Sequence, residues 1–492
     1  MKTMKMALLA GAAVAVSTAA AHADQLQDLK AQVEALNARV AAMETAPSVP
    51  TGYQLLAISK GEAAQIPGML GSDRDRVVDD RATVISVMPT ADAPAGTTIS
   101  WSGYVRAAIV YSGNNGDATW KRSYTDARDT TTKAKLKASV ANDDDWDVKA
   151  RGQLRVVATT DTAVGEVGVE LKMRADFNGN GTADVYMKTA WGYWAMTPEL
   201  TLGGGYAGSL GDIGYGYDGA CTCYYTDNAD VGFNPGDTTQ MRLSYASGPF
   251  SMAVAIEDAS LNQDELSGNN LGAAGEIKYS GDSFSGEISG VYRSVNESSY
   301  NRTGTGTGDT IGGHTGSPWS YDANLDNLWQ VGAGVGFNLG DIASLSLAAA
   351  LGSGPYQETD SSGTIDTAYP VNNDWWGVSG LATANLSDAV HAEVGAGYKH
   401  REGDSHDGVT YDGEDSALWK YSGFDYDTWA ILGGVYYTPV DQLTIGVEGE
   451  WYTADTTFKR SGKTGTTAEG YKDNLDVSTD NWTVDLVSVW RF

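Results

Sequence analysis

Charged residues recur at every second position through long stretches of this chain. In DVKARGQLRVVA, Lys149, Arg151, Gln153 and Arg155 share one parity, and Val148, Ala150, Leu154 and Val156 take the other. GEVGVELKMRADF repeats the arrangement, with Glu166, Glu170, Lys172, Arg174 and Asp176 opposing Val167, Val169, Leu171, Met173, Ala175 and Phe177. Residues of one parity lie on one face of a strand. Lys149, Arg151, Arg155, Lys172 and Arg174, joined by Arg106, Lys188 and Arg242, therefore predict a basic wall, with Arg491 a further candidate. The segment AGSLGDIGYGYDGACTCYYTDNADVGFNPGD is its complement: Asp212, Asp218, Asp227, Asp230 and Asp237, and no basic residue. If this acidic segment faces the basic wall across an opening, the two set up a transverse field. Such a field orients polar solutes and disfavours apolar ones.

Other candidate chemistry is weaker. Cys221 and Cys223 are the two cysteines, and in an oxidising compartment a C-x-C pair can close a small disulfide that would stiffen the tip of the acidic segment. DFNGNGTADVYM places Asp176, Asn178, Asn180, Gly181 and Asp184 as in a calcium loop, but Met187 stands where the bidentate glutamate belongs. A tight Asn/Gly hairpin is the favoured reading of this stretch, with surface calcium as the alternative. NDDDWD, with Asp143, Asp144, Asp145 and Asp147, reads as a solvated loop. No G-x-S-x-G occurs, and SGKTG at 461–465 lacks the upstream glycine of a phosphate loop. Nothing here predicts an enzyme.

The elements that would position these residues follow from patterning. Residues 1–23 have the form of a secretory signal: Lys2 and Lys5, an apolar middle, then Ala21-His22-Ala23. Residues 24–44 place Leu26, Leu29, Val33, Leu36, Val40 and Met43 at spacings of 3 and 4, the seam of a coiled-coil helix. Residues 45–97 read as a proline-punctuated linker interrupted by two strand-like runs, YQLLAI and ATVISVM.

From residue 98 to 492 the pattern is segments of about ten alternating residues, as transmembrane barrel strands show. Sixteen segments begin near 98, 146, 163, 183, 199, 238, 249, 270, 283, 327, 343, 374, 388, 426, 442 and 481. Short connections (TDTA, TPE, SGP, GDS, GDI, SDA, PVDQ) alternate with long ones, including 112–145, 207–237 and 453–480. Trp101, Tyr111, Trp191, Tyr193, Phe250, Tyr279, Phe284, Phe337, Trp429 and Tyr437 fall on the apolar parity, many near strand ends. Girdles of aromatics at two interfaces distinguish a membrane barrel from a soluble sandwich. The fold class predicted is all-β: a sixteen-stranded antiparallel transmembrane β-barrel behind a short N-terminal coiled-coil helix. Its last strand is NWTVDLVSVWRF, ending on Trp490 and Phe492. The formal charge of −30 argues against nucleic acid as a partner.

The opening strand SGYVRAAIVY, the run ARGQLRVVATTDTAVGEVGVELKMR and the terminal VWRF resemble outer-membrane porins of the alphaproteobacterial general-porin type. The coiled-coil prefix resembles the variants that carry an N-terminal helical stalk. The resemblance implies a homotrimer of barrels in outer-membrane lipid, each with an inward-folded third loop. It also implies that Trp490 and Phe492 form the signal read by the barrel-assembly machinery. The expected function is a water-filled channel for passive diffusion of small hydrophilic solutes and ions. A channel selective for one solute class is the alternative, as is a structural barrel tethered to peptidoglycan through the coiled coil.

Overall fold

The computed structural model describes residues 56–62, 81–87, 96–125, 131–178, 185–213, 223–226, 235–258, 271–294, 299–305, 310–311, 314–315, 318–324, 326–356, 371–403, 406–407, 410–411, 419–463 and 470–492. The expected signal and coiled-coil helix lie outside the described residues.

Strands β1 (Leu56–Glu62) and β2 (Arg81–Val87) come first. The wall begins with β3 (Thr97–Thr125), β4 (Thr131–Thr162), β5 (Gly165–Asn178), β6 (Val185–Ala195), β7 (Leu200–Gly208), β8 (Asp237–Ser247), β9 (Phe250–Asp258), β10 (Leu271–Ser280) and β11 (Phe284–Arg293). One connection then holds the short β12 (Ser299–Thr305), β13 (Thr310–Ile311), β14 (His314–Thr315) and β15 (Pro318–Asn324). The wall resumes as β16 (Leu328–Asn338), β17 (Ala343–Tyr356), β18 (Val371–Ser387) and β19 (Val390–Gly403). After the short β20 (His406–Asp407) and β21 (Thr410–Tyr411), it finishes with β22 (Trp419–Val440), β23 (Leu443–Lys463) and β24 (Gly470–Arg491).

The main sheet has 19 strands, of which β1, β2 and β20 are appendages. The other sixteen pair antiparallel with their neighbours in chain order, and β24 pairs with β3 from Arg491↔Tyr104 to Gly470↔Thr125. The sheet is thus a closed sixteen-stranded barrel, the one arrangement of strands that leaves no edge open to lipid. Its alternation is plain in β8, where Gln240, Arg242 and Ser244 are buried while Met241, Leu243 and Tyr245 are exposed. Exposed apolar side chains on the outer face are what a bilayer requires.

Aromatic contacts mark both ends of that apolar band. At the short-turn end, Phe250, Tyr279, Phe284 and Phe337 form a continuous row, with ring centroids 5.0, 6.1 and 5.5 Å apart. At the long-loop end, Tyr398 lies 5.2 Å from Trp376 and 4.5 Å from Trp429, and Tyr111 lies 4.5 Å from Trp146.

Three features depart from the sequence expectations. First, 112–145 and 453–480 are largely strand rather than loop: β3 and β4 pair up to Thr125↔Thr131, and β23 and β24 up to Lys463↔Gly470. NDDDWD is therefore part of β4. Above the membrane both faces of these strands are free of lipid, so their sequences lose the apolar–polar period. The inner face there holds a cluster of Phe424, Phe458 and Leu475 packed with Trp120 and Val477.

Second, Trp191 and Tyr193 are buried on the inner face, not turned to lipid. Lys172 pairs with Thr189 but Met173 with Met187, which leaves Lys188 as an extra residue in a β-bulge. One inserted residue exchanges the faces of every residue after it.

Third, the two strand-like runs of 45–97 join the barrel. β1 pairs with β2, and β2 pairs with β3 from Val87↔Thr97 to Thr83↔Trp101. This is the stretch of β3 beyond the end of β24, so the hairpin continues the sheet below the barrel seam.

Candidate functional site

The inner face of the barrel carries the charged residues read from the sequence. On β3, β4 and β5 they are immediate neighbours: Arg106 is the register partner of Arg151, and Arg155 of Lys172. So many cations on one wall need local counter-charges. Arg155 Nε donates to Glu170 Oε1 at 2.8 Å, and Arg151 is ion-paired with Asp176. Arg174 Nε donates to Gln153 Oε1 at 3.1 Å. Lys149 is half-buried on the same face. The wall is therefore a basic field with two carboxylates embedded in it.

Lys188 and Arg242 stand apart from this group. Lys188 Nζ lies 2.5 Å from Asp237 Oδ2, at the point where the acidic segment rejoins the wall. Arg242 is almost wholly buried, 5.0 Å over the Trp191 ring, and donates to Gly208 O at 2.9 Å. It fixes the departure of the chain from β7 rather than facing open water.

The connection between β7 and β8 turns into the barrel. Its neck is clamped by a buried pair: Arg293 Nη2 lies 3.2 Å from Glu257 Oε2. Glu257 accepts from Ser209 Oγ at 2.9 Å and from Leu210 N at 3.3 Å, and Arg293 Nη1 donates to Pro235 O at 2.8 Å. From there the loop moves along the inner wall. Gln330 Nε2 donates to Gly211 O, and Ile213 packs against Ala348, Ala350 and Trp375. Gly332 permits this approach, since a Cβ there would meet Ile213 at 2.5 Å.

The returning part of the loop reaches the opposite side. Cys223 packs against Leu381, Ala430 and Leu432, on β18 and β22. Glu448 of β23 accepts from Tyr224 N at 2.6 Å and from Tyr225 N at 3.0 Å. Arg491 Nη2 donates to the Tyr224 hydroxyl at 2.8 Å. Arg106 lies over the Tyr225 ring at 4.5 Å from its centroid, a cation–π geometry. Burial raises the Tyr224 phenol above its ordinary value, with the Arg491 guanidinium opposing, so it stays a neutral hydroxyl. Among the described residues, the loop is held at β9, β11 and β16 on one side of the lumen and at β23, β24 and β3 on the other. A barrel of this strand number is too wide for its wall side chains to fill.

Of the acidic residues expected on this loop, Asp212 is half-buried near the neck and Asp237 pairs with Lys188. Asp218, Asp227 and Asp230 lie outside the described residues, as does Cys221; Cys223 is disulfide-bonded. Of the calcium candidates, Asp176 is engaged by Arg151 and by the Tyr186 hydroxyl at 2.8 Å. Asn180, Asp184 and the Asn178 side chain lie outside the described residues. Trp490 and Phe492 are exposed on the outer face at the short-turn end.

The lumen also holds charges that the sequence reading passed over. Lys278 lies 2.8 Å from Glu287 and 3.3 Å from Glu276, all buried on β10 and β11, on the far side of the ring from β3. Glu393, Arg401 and Glu450 are buried too. Continuing the parity count through the later strands would have found all of them.

The sequence profile described as the porin subfamily matches residues 95–479. None of the curated proteins compared matches the chain. Among solved structures, the in-vitro folded outer-membrane protein OmpT of Vibrio cholerae is 12% identical, with a TM-score of 0.45, covering 80% of this chain and 98% of that one. The outer-membrane channel DcaP of Acinetobacter baumannii is 14% identical, with a TM-score of 0.41, covering 80% and 97%. An anion-selective porin from Comamonas acidovorans is 10% identical, with a TM-score of 0.39, covering 80% and 100%.

Proposed function

Because the chain belongs to the porin subfamily, a passive diffusion channel of the outer membrane rather than an enzyme, we propose that its opening is bounded by the inward loop on one side and the β3–β5 basic wall on the other. Small hydrophilic solutes and ions would cross down their gradients, sorted by size and by the field at this narrowing. The observation that carries the reading is the double anchoring of the loop, at Glu257 and Arg293 on one side and at Glu448 and Arg491 on the other. A loop tied at both ends narrows the lumen permanently without sealing it.

The short-turn end, with Phe492, is then periplasmic, and the tall β3–β4 and β23–β24 extensions stand outside the cell. The oligomer is a homotrimer, in keeping with the family, and residues 1–23 are a cleaved export signal. Planar-bilayer recording of the purified protein tests the reading. Three equal conductance steps per insertion are expected; a protein that inserts without any conductance would refute it.

A further inference from the structure

Above the inward loop, one side of the lumen is almost without charge. Register places it row by row on β22, β23, β24 and β3. The top row is Phe424, Phe458, Leu475 and Trp120, each opposite the next. Two residues further down each strand come Tyr426, Thr456, Val477 and Ala118. The third row runs from Thr428 to Gly116, the fourth from Ala430 through Tyr452 and Asn481 to Asn114, and the fifth from Leu432 to Ser112. These rows continue the inward columns of Tyr436, Glu448, Val487 and Ala108, which meet Tyr224 of the loop. Glu450, in the fifth row, is the one ionisable residue among these positions, although 20% of the chain is charged.

Charge returns at both margins, as Lys399 and Arg401 opposite Thr428 and Tyr426, and as Asp145 opposite Ser112. Between the margins the strip grades from aromatic to hydrogen-bonding. Phe424, Phe458 and Leu475 pack with Trp120, Tyr426 and Val477. Below them the Tyr426 and Tyr452 hydroxyls meet at 2.7 Å, amid the hydroxyls and amides of Thr428, Thr479, Asn481 and Asn114. Tyr452 packs against the cluster of Cys223, Leu381, Ala430 and Leu432, so the strip ends on the inward loop. Trp120, Tyr426, Tyr452 and Asn481 are only partly buried, which leaves their faces open to a solute. From Phe424 to Leu432 the strip runs ~26 Å along the strand, at ~3.3 Å per residue.

We propose that this strip binds neutral saccharides and delivers linear oligosaccharides to the inward loop. A pyranose ring has C–H faces, which stack on aromatic rings, and a hydroxyl rim, which pairs with hydroxyl and amide groups. The strip offers both on neighbouring rows. A charged solute finds no counter-charge on it. A purely apolar solute would cover the threonine and asparagine groups without pairing them, which costs free energy. A linear oligosaccharide reaches several rows at once, so each further unit binds at high effective concentration. The inference deepens the channel reading by naming a solute class, and its transport half rests on that reading.

The test is planar-bilayer recording with maltohexaose added on the long-loop side, each trace referred to the sugar-free current of the same channel. Maltohexaose should interrupt the current saturably, and glucose should need a roughly hundredfold higher concentration. Tyr452→Ala and Trp120→Ala should each raise the half-blocking concentration about fivefold to tenfold. Tyr452→Phe, which keeps the ring, should keep most of the block. Titration calorimetry of the detergent-solubilised full chain with maltohexaose reads the same site without an open channel, and it covers any variant that fails to insert. A conducting wild type that maltohexaose neither blocks nor binds would overturn the proposal and leave the channel reading standing. So would a block that both alanine variants leave unchanged, or a tighter block by benzyl alcohol, which would make the strip a site for apolar aromatic solutes. Saccharide binding without conductance would overturn the channel reading and leave the binding site standing.

Discussion

Glu257 and Glu448 sit at inward positions of β9 and β23, where an ionisable side chain is usually read as lining water. Both instead accept backbone N–H groups of a loop that would otherwise leave those donors unpaired in a buried place. A buried donor without an acceptor costs about 1–3 kcal/mol. Glu448→Ala should therefore free the far end of the loop while Glu257 and Arg293 still hold its neck. Single-channel current should become noisier and the open level should rise; a quiet trace at the wild-type level would show that Glu448 is not an anchor. The basic wall answers to a different measurement. Arg151 and Arg155 are each partnered by a carboxylate, Asp176 and Glu170. Replacing both arginines with alanine removes two cations and leaves two anions uncompensated. The reversal potential in a salt gradient should move toward cations, and an unmoved potential would take these residues out of the narrowing.

Strand β6 shows how an element can carry side chains to a face that its sequence period does not announce. Counting by twos from Lys188 sends Trp191 and Tyr193 to the lipid. The bulge at Lys188 turns them inward, where Trp191 lies under Arg242 and the Tyr193 hydroxyl donates to Glu166 at 2.7 Å. Deleting Lys188 should close the bulge with Met187↔Met173 and Thr189↔Lys172 as consecutive pairs, so both aromatics should stay inward and folded, heat-modifiable protein should still appear on gels. Lys188→Ala keeps the chain length and should assemble. Loss of folded protein on deletion alone would mean that the bulge itself is needed for β5 and β6 to pair. The same physics divides what was legible in the sequence from what was not. Where one face met lipid and the other water, as in β4 and β5 near Lys149 to Phe177, alternation revealed the strand and its charged face together. Where both faces met water, as in β3 beyond Ser112 or β24 before Asn481, no period remained and strands read as loops. Bulges and hydrogen bonds from loop backbone to wall carboxylates leave no trace in residue type, so the parity of Trp191 and the role of Glu448 needed coordinates.

Closure is the property that only the whole molecule has, and the last residue stands at its margin. β24 pairs with β3 up to Arg491↔Tyr104, the Phe492 N–H donates to Gly103 O at 3.1 Å, and β2 takes over the β3 edge from Trp101 onward. The Phe492 ring lies over Gly103, where a Cβ would come within 2.7 Å of it. The seam thus runs without a gap from the barrel into the β1–β2 hairpin, and Phe492 contributes one hydrogen bond among the many that hold it. Removing Phe492 would leave every pair from Arg491 upward in place, and the loop anchors at Glu448 and Arg491 with them. Its exposed ring therefore matters less to the finished barrel than to whatever must recognise the strand end before closure, the assembly machinery on the family reading. Deletion of Phe492 should lower the amount of folded protein recovered from the outer membrane several-fold, while the channels that do assemble keep the wild-type conductance. An unchanged yield would remove the recognition role, and a changed conductance would assign the residue to shaping the pore instead.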